Sequence, residues 1–330
     1  MITSRQPPPQ LILTREDVLA VAPNLADINR IIEETYRFSG EGLAEVPVKI
    51  GVHPGRPHSF LHAMPAWVEG SGALGIKWIS YYPGQAMEGP PDSGGLIVLN
   101  EPEHGHPISI MEGMWITAAR TAACGAVAAR HLAIENPRRL GLIGCGGLGN
   151  WSLRLLGDVF PSIQEVYVSS RTTVSRNEFC AEMGDKGRWT LTPVDRVEDA
   201  VAHMDIVVSS VPQGTERIIK GAWVSPGTLV IPLDVVSGWD DVAYENTDLL
   251  VTDDVGALQA AVERRRPDLP IPENIVSTYD VVLGRGPKID RTVARIMTIP
   301  TGVASVDITL AQEIYRRARE AGVGTEIRLL

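Results

Sequence analysis

The period of the apolar positions changes along the chain, and the changes mark its organisation. Between residues 14 and 37, Leu19, Val21, Leu25, Ile28 and Ile31 recur at helical spacing behind Thr14, a capping residue type, so the spacing predicts a helix. Over 46–111 the period shortens. β-like runs at 48–52, 74–81 and 95–99 alternate with Gly- and Pro-rich turns. Asn100-Glu101-Pro102 followed by His104-Gly105 predicts a hairpin turn, with 108–111 as the returning strand. An Ala-rich helical stretch at 115–132 is broken by Asn136-Pro137. From 138 to about 300, strand and helix patterns alternate, with apolar runs at 140–143, 165–168, 206–209, 229–232 and 249–252. Runs apolar on both parities suit a sheet covered on both faces. The alternation therefore predicts a doubly wound, Rossmann-type parallel sheet. A last amphipathic helix spans about 305–321. The expected division is an α/β domain at 136–300 and a discontinuous α+β domain at 1–135 and 301–330.

Composition narrows the function. At 330 residues the chain is long enough for two domains. A formal net charge of −10 disfavours a nucleic-acid partner, which needs a basic footprint. The short basic clusters Arg264-Arg265-Arg266 and Arg316-Arg317 read as solvated helix faces. Cys124, Cys145 and Cys180 are spaced for neither zinc nor a CxxC pair, and so sparse a set suits a reducing, cytoplasmic compartment. No signal-peptide pattern precedes Pro7-Pro8-Pro9, and no apolar run approaches a membrane span. HExxH, GxSxG and P-loop patterns are absent, and the His104/His106 pair reads as a solvated turn rather than a metal site.

The strongest motif is Gly144-Cys145-Gly146-Gly147-Leu148-Gly149, a GxGxxG loop. Alone the pattern is weak; here it follows a strand and opens an amphipathic helix. Gly144 permits the tight turn, Gly146 lets backbone approach a pyrophosphate, and Gly149 lets helix pack on strand. The helix N-terminus supplies amide donors and a positive dipole end. Thr121 and the turn Ser210-Val211-Pro212 are further candidate cofactor contacts. After the next strand an acidic residue would bind a ribose 2′-hydroxyl; Ser170-Arg171-Thr172 stand there instead, a set suited to a 2′-phosphate. NADP(H) is the expected cofactor, with NAD(H) the alternative.

Four ordered segments are similar to the ornithine cyclodeaminase/mu-crystallin family. They are Met64-Pro65-Ala66-Trp67 with Gly75-Ile76-Lys77-Trp78; Gly94-Gly95-Leu96 through Gly105-His106-Pro107; Thr117-Ala118-Ala119-Arg120-Thr121; and Leu233-Asp234. The resemblance implies a Rossmann domain, a discontinuous domain whose sheets pair in a homodimer, and a small amino- or imino-acid substrate held between domains against the nicotinamide. It implies that Lys77 is the active-site lysine, that Arg120 grips the substrate carboxylate, and that Asp234 handles a proton at the α-nitrogen. A planar guanidinium suits a carboxylate, and an aspartate can take a proton from an amine or hold an iminium cationic. Taken singly, Lys77 reads as a solvated strand lysine, Arg120 as a helix-surface residue and Asp234 as the start of a loop.

Two departures bear on substrate. Where family members often carry an arginine, Lys49 stands; where cyclodeaminases carry a glutamate for a distal amine, His62 stands. A histidine is a poor partner for an ammonium. His53 and His62 either touch a polar or anionic side chain or sit satisfied in a strand-rich core. The sequence thus favours a reductase or dehydrogenase acting at the α-carbon. A cyclodeaminase using bound NAD⁺ and a non-catalytic NADPH-binding protein are the alternatives.

Overall fold

The computed structural model describes residues 8–84, 91–184, 188–212, 216–272 and 274–329; Met1–Pro7, where the N-terminal reading falls, lie outside them. The chain opens with β1 (Gln10–Leu13). Thr14 then caps α1 (Arg15–Ala20): its hydroxyl accepts from the Asp17 N–H while the Asp17 carboxylate accepts from the Thr14 N–H. The spacing predicts one helix over 14–37, but the structure has two. Pro23 cannot supply an interior N–H, and Asn24 caps α2 (Leu25–Gly40) afresh through the Asp27 N–H. Next come β2 (Ala44–Glu45), β3 (Ile50–Val52), β4 (Phe60–Val68), β5 (Ala73–Tyr81), β6 (Ser93–Asn100), β7 (Pro107–Glu112) and α3 (Met114–Leu132). β4 is absent from the predicted runs because Pro65 interrupts its pattern. On one side β2 pairs with Trp67 and Val68, and β3 with Leu61, His62 and Ala63, so Pro65 falls in the gap between them.

The second part of the chain alternates as expected. It runs β8 (Arg139–Ile143), α4 (Gly147–Val159), β9 (Glu165–Ser169), α5 (Thr173–Gly184), β10 (Thr190–Pro193), β11 (Ile206–Ser209) and β12 (Leu229–Pro232). It continues through α6 (Asp241–Glu245), β13 (Leu249–Thr252), α7 (Val255–Arg265), β14 (Ile275–Ser277), α8 (Thr278–Val282) and β15 (Ile296–Ile299). All eight strands are parallel, in the order β10-β9-β8-β11-β12-β15-β13-β14. Winding reverses between β8 and β11, so the carboxyl ends of these two strands flank the switch point where such sheets bind ligands. Trp239, Tyr244, Val207, Val230 and Met297 are buried in the core beside the sheet.

The chain ends with α9 (Ala304–Ala321) and β16 (Thr325–Ile327). Two compact units result: Met1–Arg120 with Val303–Leu330, and Thr121–Gly302. The boundary between these units falls inside α3, between Arg120 and Thr121.

In the first unit the sheet runs β16-β1-β7-β6-β5-β4-β2, with β3 also on β4, and α9 packs on β4, β5 and β6. One cross-strand row under the helices is Met64, Lys77, Ile97 and Met111, all buried. The adjacent row, facing away, is Ile50, Ala63, Trp78, Leu96 and Glu112. In it Ile50, Trp78 and Leu96 are 71%, 49% and 50% exposed. Among the described residues, no helix is long and apolar enough to cross a membrane.

Candidate functional site

Lys77 lies on β5 at the parity that faces the helices, and it is 0% exposed. Its neighbours in the row, Met64 and Ile97, offer an ammonium nothing. Two charged residues from helices meet it. Asp307, in the first turn of α9, places Oδ2 2.7 Å from Lys77 Nζ. The contact is close but poorly aligned, and neither atom has a partner of hydrogen-bond geometry among the described residues. Asp307 Oδ1 accepts from Nε of Arg120, on α3, at 2.8 Å. Asp307 is 0% and Arg120 6% exposed, so neither Lys77 nor Arg120 is the solvated residue that each suggests when taken singly. Burial pushes Lys77 down to about 7, and the positive charges of Arg120 and Lys49 add to that, against the pull of Asp307. A lysine at that value gives or holds a proton near neutrality.

Lys49, just before β3, is half-buried. His62 lies on β4 opposite Gly51, on the same face as Met64; its ring stacks on Phe60 at 4.2 Å and meets His53 edge-on at 6.0 Å. At Gly51 a Cβ would lie 2.2 Å from the His62 ring, so any larger residue there would displace the ring.

The second unit gathers its chemistry at the carboxyl ends of the strands. Gly144 has φ +103°, a conformation L side chains rarely adopt, and a Cβ would also sit 2.6 Å from Ser210 Oγ. At Gly149 a Cβ would sit 2.3 Å from the Gly144 carbonyl oxygen. At Gly146 and Gly147 a Cβ would meet nothing within 4 Å. Gly146 is the N-cap of α4 and has no side chain to occupy the free amides. The geometry therefore leaves a backbone cradle open to an anion. Ser210 closes its far side: its N–H donates to the Ile143 carbonyl, and its hydroxyl to that of Gly144. Leu148 is half-buried at the start of α4, Thr121 is half-buried on α3, and Pro212 is exposed. After β9, Arg171 is exposed, while the Ser170 and Thr172 hydroxyls both bond the Ser175 hydroxyl, at 2.9 and 2.7 Å.

Asp234 follows β12 and is 6% exposed. Burial pushes its carboxyl up to about 6, opposed by the Ser209 hydroxyl and by the backbone amides of Val211, Gly238 and Asp234 itself. Oδ2 accepts from the Val211 N–H at 3.2 Å, whereas Oδ1 has no partner of hydrogen-bond geometry among the described residues. Ser209 is itself held by the indole N–H of Trp239, at 2.9 Å. Val235, the next residue, has φ +63°, a strained conformation for a β-branched side chain.

Three of these residues, Asp307, Ser209 and Trp239, are not among those the sequence singles out. Asp307 had a visible signal, an aspartate inside the run Val303–Ala311 that is otherwise small or apolar apart from Ser305 and Thr309. Ser209 and Trp239 had none, because an apolar strand end and an aromatic residue are ordinary core features. Glu101, Glu103 and His104 bring metal-ligating atoms together on the β6–β7 turn. There, however, the Glu101 carboxylate accepts from the backbone N–H groups of Glu103 and His104 as a turn cap.

Residues 9–322 match the ornithine cyclodeaminase/mu-crystallin family. The nodulation efficiency protein NfeD of Rhizobium meliloti is 32% identical over 95% of this chain and 97% of its own length. Two solved structures resemble the chain over almost its whole length. A Thermococcus litoralis Δ1-pyrroline-2-carboxylate reductase in complex with NADH and L-proline has TM-score 0.88 and 25% identity, covering 96% of this chain and 100% of its own. An archaeal alanine dehydrogenase dimer with bound NAD has TM-score 0.87 and 26% identity, covering 97% and 99%.

Proposed function

The chain belongs to the ornithine cyclodeaminase/mu-crystallin family, and from that premise we propose that it is an NAD(P)H-dependent oxidoreductase acting at the α-carbon of a small amino or imino acid. The reductive reaction, imino acid to amino acid, is the activity the site supports best. The observation that carries this reading is the Lys77 ammonium, fully buried without a well-aligned acceptor and set beside Arg120. A buried ammonium whose contact with Asp307 is poorly aligned can take a further acceptor, and every α-amino or α-imino acid brings a carboxylate. The dehydrogenase and reductase among the similar proteins support the same reaction class.

Each group has one task. Arg120 and Lys77 bind and orient the substrate carboxylate, Lys77 also being able to hold a proton near neutrality. Asp234 keeps the α-nitrogen cationic during reduction, or takes its proton in the oxidative direction. Lys49 and His62 face the rest of the substrate. The nicotinamide, when bound, supplies or accepts the hydride. The cradle at Gly144, Gly146, Gly147, Leu148 and Gly149, with Ser210, Val211 and Pro212 beside it and Thr121 on α3, would hold the cofactor. NADP(H) is placed ahead of NAD(H) because the β9 loop offers Ser170, Arg171 and Thr172 and no carboxylate. Three cysteines, none of them in a disulfide, suit a cytoplasmic setting.

The test is oxidation of NADPH and of NADH at 340 nm against 2-oxo acids with ammonia or methylamine, and against cyclic imino acids. Reduction of one imine class, faster with NADPH, is expected. Ammonia released from ornithine with no net cofactor change would replace the reductase with a cyclodeaminase.

Two glycines separate cofactor binding from folding. Gly146→Ala is expected to leave the melting temperature unchanged and weaken NADPH binding about tenfold or more, because its Cβ enters open space that a pyrophosphate would fill. Gly149→Ala is expected to lower the melting temperature, since its Cβ meets backbone. Titration of cofactor fluorescence and a thermal melt of each variant check the pair; equal cofactor binding by Gly146→Ala and the wild type would remove that loop from the site.

The exposed apolar row of Ile50, Trp78 and Leu96 is the proposed homodimer face. Sedimentation should find a dimer, and Trp78→Glu with Leu96→Glu should find a folded monomer. A wild-type monomer at micromolar concentration would overturn this assignment.

A further inference from the structure

We propose that Asp307 is the positioning residue of the substrate-carboxylate site: one of its oxygens holds the Arg120 guanidinium by a hydrogen bond, and the other holds the Lys77 ammonium beside it by charge. The inference rests on the proposed reductase reading for its substrate, but not for its geometry.

Lys77 and Arg120 are like charges, both buried, and each disfavours the other. Lys49 adds a third positive charge from the segment before β3, while the β4 and β6 neighbours, Met64 and Ile97, are apolar. Asp307 opposes these charges at Lys77, and it does so from a helix rather than from the sheet. It lies in the first turn of α9, where the helix dipole favours a carboxylate. Its two contacts are divided, with Oδ1 to Arg120 Nε at 2.8 Å and Oδ2 to Lys77 Nζ at 2.7 Å. Holding Arg120 by Nε sets the direction of the guanidinium, which binds carboxylates as a rigid fork. The buried Asp307 side chain thereby acts on substrate through Lys77 and Arg120.

Removing only the charge makes the test. The chain has five lysines, Lys49, Lys77, Lys186, Lys220 and Lys288, so a spectrum of protein labelled with ¹³Cε-lysine is simple, and Lys77→Met identifies its resonance. In the wild type that resonance should titrate near 7. In Asp307→Asn it should titrate at least one unit lower, which makes the protonated fraction above neutral pH about tenfold smaller. The alkaline limb of kcat/KM should move with it, by the same factor, with NADPH binding unaltered. Asp307→Glu keeps the charge but moves it; it should retain the Lys77 titration and raise KM for the imino acid. An unmoved Lys77 titration in Asp307→Asn, or wild-type KM in Asp307→Glu, would overturn the assignment. If the wild type reduced no imino acid, the reductase reading would fail while the lysine titration still decided the role of Asp307.

Discussion

Lys77→Met is expected to lower kcat/KM for imino-acid reduction by about 10²–10⁴-fold, the range that a positioned proton-transfer group contributes. Methionine matches the lysine stem in length and is compatible with the row of Met64, Ile97 and Met111, so the fold should survive. Asp307 would still hold Arg120 through Nε. The loss should therefore appear as chemistry and carboxylate binding, not as unfolding, and cofactor fluorescence should show unchanged NADPH affinity. The pH profile adds a second readout. With Lys77 at about 7, its ammonium is present below that pH and lost above it, so the wild-type kcat/KM should fall on the alkaline side, and the variant should lack that limb. Activity within tenfold of the wild type, with the limb intact, would remove Lys77 from the mechanism.

Asp234→Asn should lower turnover by a comparable ~10²–10⁴-fold while leaving cofactor binding alone. Asparagine retains an oxygen to accept from the Val211 N–H, so the local geometry has little reason to change. The wild-type acid limb, from protonation of Asp234 at about 6, should vanish. Stability gives an independent check of opposite sign. A carboxyl raised from 3.8 to about 6 by burial is better tolerated neutral. Its contribution to wild-type stability is fully present below 3.8 and is lost as pH rises through about 6, an effect of the order of 3 kcal/mol. Asparagine never carries that charge. Thermal melts at pH 7.5 should find Asp234→Asn more stable than the wild type, with the advantage fading toward pH 4. A variant that is both inactive and less stable at pH 7.5 would point to a structural role for Asp234 instead.

The strained Val235 and the orphaned Asp234 Oδ1 lie side by side, as do the buried cations and their poorly aligned carboxylate. Stability given up at such positions is a common mark of groups held for a ligand. The Trp239–Ser209 hydrogen bond behind Asp234 shows where rigidity is supplied: the indole fixes the hydroxyl that faces the carboxyl.

Whatever depends on near neighbours along the chain is legible in it. The strand run at 140–143, the glycine spacing 144–149 and the helix after it are local signals; Gly144 and Gly149 have steric reasons seen in the structure, and Gly146 and Gly147 leave open space. The alternation of apolar runs likewise specified a parallel α/β sheet, since a strand buried on both faces has no polar parity. Tertiary structure alone decided the rest. β15 enters the sheet between β12 and β13, an order that no local pattern encodes. Both parities of β5 are largely apolar, so alternation could not say which way Lys77 points; the cover provided by α9 did. The charge state of Lys77 and the setting of Arg120 depend on Asp307, which lies 230 residues from the one and 187 from the other along the chain. Burial and charge pairing are properties of space, and a sequence states them only where the paired residues are also neighbours along it.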